Sequence, residues 1–251
     1  MKELSIIFRH FLMRTLREPI VIIFSFLLPI GLTILNTVIN LNFLDQGDRQ
    51  AAAIEATVIA ALFMIAFQFF SSQVLIYHIY EDLRGPARWR LLATPVKQGS
   101  FLAGAVLASW IFSIIQGLLI IGTSALLFDM HWGNPFILVA VIIMVATIGQ
   151  LMALLISLAT SKLKTAVGIT YAIGFSMMFL SGALFVPLGD SAFAVFVQNY
   201  GTPLTLAWRA IIFSGVADND MSLVAFNMGV LGIIAAVMAG VVLILGRRRR
   251  I

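Results

Sequence analysis

Residues that could carry hydrolytic or nucleotide chemistry are missing from this sequence or stand in unsuitable places. No Gly-x-x-x-x-Gly-Lys-Ser/Thr loop occurs. We therefore expect ATP to be bound by another polypeptide, because the phosphate-binding backbone nest is absent. Ser124 and Ser176 each follow a glycine by two residues, but the three histidines lie at the ends of apolar runs, away from both serines. We predict no catalytic residue.

Metal ligands are equally scarce. Cysteine is absent, and no two histidines or carboxylates stand three or four residues apart inside an apolar run. The apolar runs also contain no Asp, Glu, Lys or Arg, which argues against a proton- or sodium-driven secondary transporter, because such proteins keep carboxylates within the membrane. We predict no metal site and no cofactor in this chain.

The polar side chains inside the apolar runs are amides and hydroxyls, among them Asn36, Gln68 and Gln73. Buried amides in lipid either pair across helices or contact a substrate, and the sequence leaves both interpretations open. Met177 and Met178 form either an adaptable wall for a substrate or ordinary core. These five residues are the candidate substrate pathway.

Long uncharged runs must position these side chains. Hydrophobic residues make up 61% of the 251 residues and charged residues 11%, whereas soluble chains are about 45–50% apolar and about 25% charged. About 20 helical residues cross the roughly 30 Å hydrocarbon layer, and lipid forces the backbone into helices. We predict an all-α integral membrane fold with six transmembrane helices. The runs are 20–41, 56–79, 100–128, 136–160, 166–187 and 222–245.

The basic residues indicate the orientation of the chain. Fourteen of the 16 Lys and Arg residues fall in the N-terminal arm, the second and fourth loops and the C-terminal tail, whereas Arg49 and Arg209 fall elsewhere. Because cytoplasmic loops retain basic residues during insertion, we predict that both termini are cytoplasmic. The net charge of +5 is then a signal of topology, and we predict no binding of nucleic acid.

Residues 1–19 show the pattern of an amphipathic helix. Apolar residues recur at the spacing of one helical face, and basic residues fall outside it. Such a helix would lie among lipid headgroups as an elbow until Glu18-Pro19 breaks it, unless it is only a generic membrane anchor. The elbow residues that we single out are Phe8, Phe11, Arg14 and Arg17.

The inner loop at 80–99 has the sequence pattern of a short helix, which a simple connecting loop does not require. Gly85-Pro86 makes a break, Ala87 to Ala93 has room for about two helical turns, and Pro95 stops them. Trp89 and Leu92 form a small apolar edge. This short helix either docks a soluble subunit or lies on lipid headgroups, and composition does not decide between them.

The outer segment at 188–221 is too apolar for an exposed loop. Two short helices that dip back into the outer leaflet, broken at Gly201-Thr202-Pro203, would satisfy both backbone and side chains. A folded external cap is the alternative.

The order of these segments resembles that of the permease subunits of type-2 ATP-binding-cassette (ABC) exporters. The resemblance covers the whole chain and rests on the amphipathic arm, a Leu-Leu-x-Thr-Pro loop ending at Pro95, Gly182-Ala-Leu-Phe-Val-Pro187, and an outer Pro203-Leu-Thr with Arg209 and Gly215. It implies that the 80–99 loop holds a coupling helix seated in a groove of an ATPase subunit, which binds ATP and Mg. It also implies re-entrant outer helices and a cavity-lining second span, which favours Gln68 and Gln73.

One difference concerns the coupling loop. Similar loops commonly read Gly-Thr-x-Glu before the leucine pair, whereas this sequence has Gly85-Pro86-Ala87-Arg88 with one extra residue. Arg88 or Arg90 would then meet an acidic groove in place of the Glu contact. The coupling residues that the resemblance implies are Arg88, Trp89, Arg90, Leu91, Leu92, Thr94 and Pro95.

The combined prediction is a single permease domain over 1–251 in a bacterial or archaeal cytoplasmic membrane. Its expected partners are an ABC ATPase subunit, a second permease copy or homologue, and membrane lipid. It would move an amphiphilic, drug-like, peptide or lipid-linked substrate outward. The alternative is an ATPase-independent membrane module, either a small secondary transporter or a scaffold.

Overall fold

The computed structural model describes residues 2–43, 49–85, 89, 93, 98–128, 130–181, 189, 191–216 and 219–249, and nearly all of them are helical. Two π-helical segments, Ile23–Leu27 and Ile79–Leu83, interrupt the α-helices. The α-helices are α1 (Lys2–Arg17), α2 (Pro19–Ile22), α3 (Leu28–Phe43), α4 (Arg49–Ser71), α5 (Gln73–His78), α6 (Gln98–Phe128), α7 (Pro135–Ala159), α8 (Leu163–Leu180), α9 (Ala192–Tyr200), α10 (Pro203–Ile212) and α11 (Met221–Arg249).

Within the described residues, six helical stretches are long and apolar enough to cross a membrane, which confirms the predicted all-α, six-span fold. The second span extends to Leu83, beyond the predicted end at Ile79, although it then includes Glu81 and Asp82. The spans, numbered first to sixth below, are Pro19–Ile39, Ala53–Leu83, Gly99–Phe128, Pro135–Ala159, Leu163–Leu180 and Met221–Gly246.

The first span contains a π-helical segment for a local reason. Pro29 has no backbone N–H to donate to the carbonyl of Ser25, and its ring crowds that carbonyl. The preceding turn widens, so that the N–H of Leu28 donates to the carbonyl of Ile23, five residues back. The proline is therefore accommodated without a break in the span.

The second span is the centre of the bundle. It packs against the first, third, fourth and fifth spans and against α10. Small residues border the second span: a Cβ added at Gly149 of the fourth span would lie 3.6 Å from the Cβ of Ser72, which is an ordinary van der Waals contact. On the third span, a Cβ at Gly117 would lie 2.8 Å from Nε2 of Gln68. Glycines thus let two neighbouring helices lie directly against the polar side of the second span.

The helices α9 and α10 lie before the sixth span, and the chain breaks between them at Gly201-Thr202-Pro203, as the sequence predicts. Thr202 caps α10 by accepting a hydrogen bond from the Thr205 N–H at 3.0 Å. α10 is almost wholly buried against the second, fourth and sixth spans. α9 keeps Phe193 exposed. Whether these helices re-enter the membrane stays a prediction.

The amphipathic helix α1 ends at Arg17, directly before the predicted break at Glu18-Pro19. Its apolar face contacts the third span: Phe11 is fully buried and packs edge-on against Phe101, with ring centroids 4.8 Å apart. Gly104 of the third span lies directly under Ile7. Protein therefore covers this face of α1, and the placement of α1 among lipid headgroups stays a prediction.

Gly104→Leu should detach α1 from the third span, because even a Cβ at this position would lie 2.5 Å from Cγ2 of Ile7. Overpacking of this kind costs about 1–3 kcal/mol, which corresponds to a melting temperature lower by roughly 2–12 °C for a chain of this size. Thermal unfolding in detergent measures the change. Gly122→Leu on the same helix is the matched control, since nothing lies within 4 Å of its added Cβ. Equal melting temperatures for the two variants would contradict the contact.

Candidate functional site: an aromatic cavity and an ion-paired junction

A cavity of about 690 Å³ lies between the first, second and fifth spans. Along the second span its wall runs from Phe63 to Tyr77, a helical distance of about 20 Å, so the cavity is elongated along the bundle. Its size and apolar lining are typical of a site for a drug-sized molecule. The lining residues are Ile20, Val21, Phe24, Ser25, Leu28, Leu32, Phe63, Phe67, Phe70, Ser71, Gln73, Val74, Tyr77, Tyr171, Phe175 and Met178.

Phe70 organises the aromatic wall of the cavity. Its ring centroid lies 5.7 Å from that of Phe67, 5.5 Å from that of Tyr171 and 5.2 Å from that of Phe175. The ring reaches the fifth span because Gly174 leaves room for it; a Cβ at Gly174 would collide with the Phe70 ring. These separations are those of favourable tilted aromatic contacts. The second and fifth spans are therefore joined by rings that also face the cavity.

The polar groups of the cavity are few and carry no formal charge. No Asp, Glu, Lys, Arg or His is among the described residues that line it. The Ser71 hydroxyl donates to the Gln68 carbonyl at 2.8 Å and is thereby satisfied. Gln73 is only 7% exposed, and its amide nitrogen has no hydrogen-bond partner among the described residues. An unpaired buried donor next to a cavity is the group that a bound molecule would satisfy.

The predicted pathway residues fall in different places. Gln73 and Met178 line the cavity. Gln68 is fully buried and donates its amide to the carbonyl of Ser113 on the third span at 3.1 Å, which is a contact between helices. Asn36 and Met177 are half-buried outside the cavity lining. Whether any of these residues contacts substrate stays a prediction.

Sequence reasoning did not single out the aromatic residues Phe24 and Tyr171 as lining residues. The first and fifth spans are apolar on all sides, so no periodicity marks the side that faces the cavity. Pro29 and Gly174 were the available signals, because they mark a distorted turn and a close helix approach.

A second site joins α1 to the end of the second span. Arg14 forms an ion pair with Asp82 at 2.8 Å, a second one with Glu81, and a longer one with Glu18 at 3.6 Å. Burial by itself lowers the pKa of Arg14, but the carboxylate of Asp82, with those of Glu81 and Glu18, outweighs it and raises the pKa. Of the other elbow residues, Phe11 is buried and Arg17 is exposed. Phe8 packs partly buried against the core.

The same end of the second span is also tied to the fourth span. Arg84 donates to the carbonyl oxygens of Thr160 and Ser157, each at 2.6 Å. The Tyr80 hydroxyl donates to the Thr160 carbonyl at 2.8 Å, and the guanidinium lies over the Tyr80 ring, 4.7 Å from its centroid. A cation that donates to the last carbonyls of a helix favours its C-terminus. We call the contacts of Arg14, Tyr80 and Arg84 the junction.

The loop that follows the junction is only partly described. Trp89 is 76% exposed, and the Ala93 N–H donates to the Trp89 carbonyl at 3.2 Å, the spacing of an α-helical turn. The other predicted coupling residues lie outside the described residues, so their placement stays a prediction. They are Arg88, Arg90, Leu91, Leu92, Thr94 and Pro95.

Comparison with known families gives a match to the family model described as "ABC-2 type transporter" over residues 2–198. The matched region contains α1, the first five spans, the cavity lining and most of α9. No curated protein sequence matches the chain.

Arg14→Gln should loosen the junction, because the glutamine cannot neutralise Asp82. A double-mutant cycle with Asp82→Asn isolates the pair, and we expect a coupling free energy of about 0.5–1 kcal/mol for a partly exposed ion pair. Thermal or denaturant unfolding of the four proteins provides the measurement. The matched cycle of Arg17→Gln with Asp82→Asn should give a coupling near zero, because Arg17 is exposed and on the same helix. A cycle for Arg14 that also gives zero would show that the Arg14–Asp82 pair contributes nothing to stability.

Proposed function

The chain belongs to the ABC-2 type transporter family, the permease subunits of type-2 ABC transporters, and we propose that it forms half of the membrane path of an ATP-driven exporter. The chain is a multi-pass membrane protein and a transport component that is not itself catalytic. The proposal adds the direction of transport, the coupling route and the partners.

The observation that supports this proposal best is that one helix serves both sites. The second span lines the cavity from Phe63 to Tyr77 and enters the junction only a few residues later, at Tyr80. A displacement of the loop after Leu83 would therefore reach the cavity along the second span, through the π-helical segment Ile79–Leu83 and α5. Helices transmit rigid-body shifts of this kind because packed interfaces have discrete alternative arrangements.

The junction determines what moves with the loop. Arg14 links α1 to Asp82, and Arg84 links the end of the fourth span to the same turn. A force on the loop would then move α1, the end of the fourth span and the cavity-facing second span together, while the first and fifth spans form the other walls of the cavity. We propose that ATP binding in the partner closes the ATPase pair and shifts this unit, which opens the cavity outward.

We propose that the force comes from a separate ABC ATPase subunit that binds ATP and Mg. The exposed Trp89, at the start of a helical turn in the 80–99 loop, supports docking of a soluble partner, because a large apolar side chain at the end of the bundle is otherwise uncovered. Arg88 and Arg90 would meet acidic groups on that partner. A second permease, either a copy or a homologue, would complete the assembly.

The basic loops support the orientation of this assembly. With fourteen of the 16 Lys and Arg residues in the terminal arms and the second and fourth loops, the loop at 80–99 faces the cytoplasm, where an ATPase is available. We place the assembly in a bacterial or archaeal cytoplasmic membrane, moving an amphiphilic, drug-like, peptide or lipid-linked substrate outward.

Trp89→Ala combined with Leu92→Ala should abolish binding of the ATPase and leave the permease folded, because the sequence predicts that both residues form the apolar edge of the docking helix. The permease is co-expressed with a Walker-motif ATPase encoded beside it, and co-purification and ATP hydrolysis in lipid are measured.

Phe193→Ala is the control for this experiment, since Phe193 is also strongly exposed but lies on α9, remote from the loop. Retention of the ATPase by the double variant would refute the docking role. A wild-type permease that captures no ATPase would favour an ATPase-independent membrane module.

A further inference from the structure

The chemistry of the cavity lining defines the charge of the molecule that fits there. We propose that the cavity takes aromatic, apolar molecules that are uncharged or carry one positive charge, that it rejects anions, and that Gln73 binds a hydrogen-bond-accepting oxygen of an uncharged ligand. This inference names the substrate class and rests on the proposed function.

Exclusion of anions follows from the ring faces, because the described lining offers no counter-charge to either an anion or a cation. The lining contains hydroxyl and amide groups but, among the described residues, no Lys, Arg or His that could neutralise a buried anion. Moving an unpaired charge into an apolar site is costly. The aromatic faces add to the cost, because the face of a ring carries the negative part of its quadrupole.

The same rings favour aromatic and cationic ligands. Phe70, Tyr171 and Phe175 form a cluster in which Tyr171 and Phe175 are stacked with ring centroids 6.4 Å apart. Phe175 is still 52% exposed within the protein, so its ring is available to a ligand. Ring faces bind phenyl groups by offset or edge contacts and bind cations through the quadrupole.

Gln73 provides the specific polar contact. It is the lining residue whose buried amide nitrogen lacks a partner among the described residues, and it lies on the second span between Phe70 and Tyr77. An oxygen acceptor on an uncharged ligand would pair this donor while its aromatic body occupied the ring cluster. A lipid acyl chain would fill the cavity equally well but would leave the donor unpaired, so it is the rival occupant.

Three probes of similar shape test the proposal with the full chain in lipid nanodiscs. Tetraphenylphosphonium is a cation, triphenylphosphine oxide is uncharged with a strong acceptor oxygen, and tetraphenylborate is an anion. We expect saturable binding of the first two probes, and for tetraphenylborate only the non-saturable partitioning that empty nanodiscs also show.

Two variants assign the binding to the cavity. Gln73→Met keeps the side-chain length and removes the donor, so it should weaken triphenylphosphine oxide about fivefold to tenfold and leave tetraphenylphosphonium unchanged. Phe175→Leu should weaken both probes several-fold. Phe136→Leu, at an 85% exposed phenylalanine outside the cavity, is the control and should change neither affinity. Unchanged elution from size-exclusion chromatography and an unchanged melting temperature confirm that each variant is folded. Phe175→Tyr keeps the aromatic ring and should bind both probes as the wild type does.

Three outcomes would overturn the proposal. Saturable tetraphenylborate binding that Phe175→Leu weakens would remove the charge selection, and unchanged binding of triphenylphosphine oxide to Gln73→Met would remove the role of Gln73. Absence of saturable binding by all three probes would refute the aromatic ligand class and favour the rival lipid acyl chain.

The outcomes are separable from those of the docking experiment. Failure of the probes with retained ATPase binding would leave the exporter assignment intact. The expected probe selectivity without capture of an ATPase would support the ligand class of the cavity and contradict the exporter assignment.

Discussion

The structure depends on one constraint: lipid supplies no hydrogen bonds, so each polar group within the bundle needs a partner in the protein. The second span shows how this constraint is met. Gln68 donates to a carbonyl of the third span, and the hydroxyls of Ser71 and Ser72 donate to carbonyls of their own helix. At the end of the span, the unpaired carbonyls of the fourth span receive Arg84. Several buried polar atoms elsewhere in the described bundle, including the amide oxygen of Gln68, have no partner in the protein, but of these unpaired atoms it is the amide nitrogen of Gln73 that lies beside the cavity.

The central position of the second span also explains why small residues surround it. Gly117, Gly149 and Gly174 come from three different spans, and each leaves space for a side chain of the second span. At Gly117 that space holds the amide of Gln68, which donates to a carbonyl of the third span, whereas Gly149 lies against the backbone and Cβ of the second span at ordinary contact distance. At Gly174 the space admits an aromatic ring that faces the cavity. Glycines therefore border the second span where the third and fourth spans pack against it, and a glycine of the fifth span makes room for the aromatic wall of the cavity.

The spans could be predicted from sequence because their length and lack of charge follow directly from the thickness of the bilayer. The break between α9 and α10 was predictable from Gly201-Thr202-Pro203. Gly201 ends the first helix, Thr202 caps the second, and Pro203 is a favourable first residue of that helix. The end of the second span was predicted too early, because Glu81 and Asp82 were taken as the start of a loop. Arg14, distant in sequence, neutralises them and lets the helix continue.

The candidate site was less predictable, because it depends on which side of a uniformly apolar helix faces a neighbour. Gln68 and Gln73 are five residues apart and chemically identical, yet one joins two helices and the other borders the cavity. The coupling residues other than Trp89 lie outside the described residues, so their placement stays a prediction.

The π-helical segment at Ile23–Leu27 affects how the first span must be represented. Its extra residue puts the two halves of the span out of step by one position, which is a rotation of about 100° on a helical wheel. A wheel drawn for an uninterrupted α-helix would therefore assign Ile20 and Val21 to the wrong azimuth relative to Leu28 and Leu32, although all four border the same void. The results of mutational scans of this span therefore have to be plotted on two helical wheels, one for the residues before the wide turn and one for the residues after it.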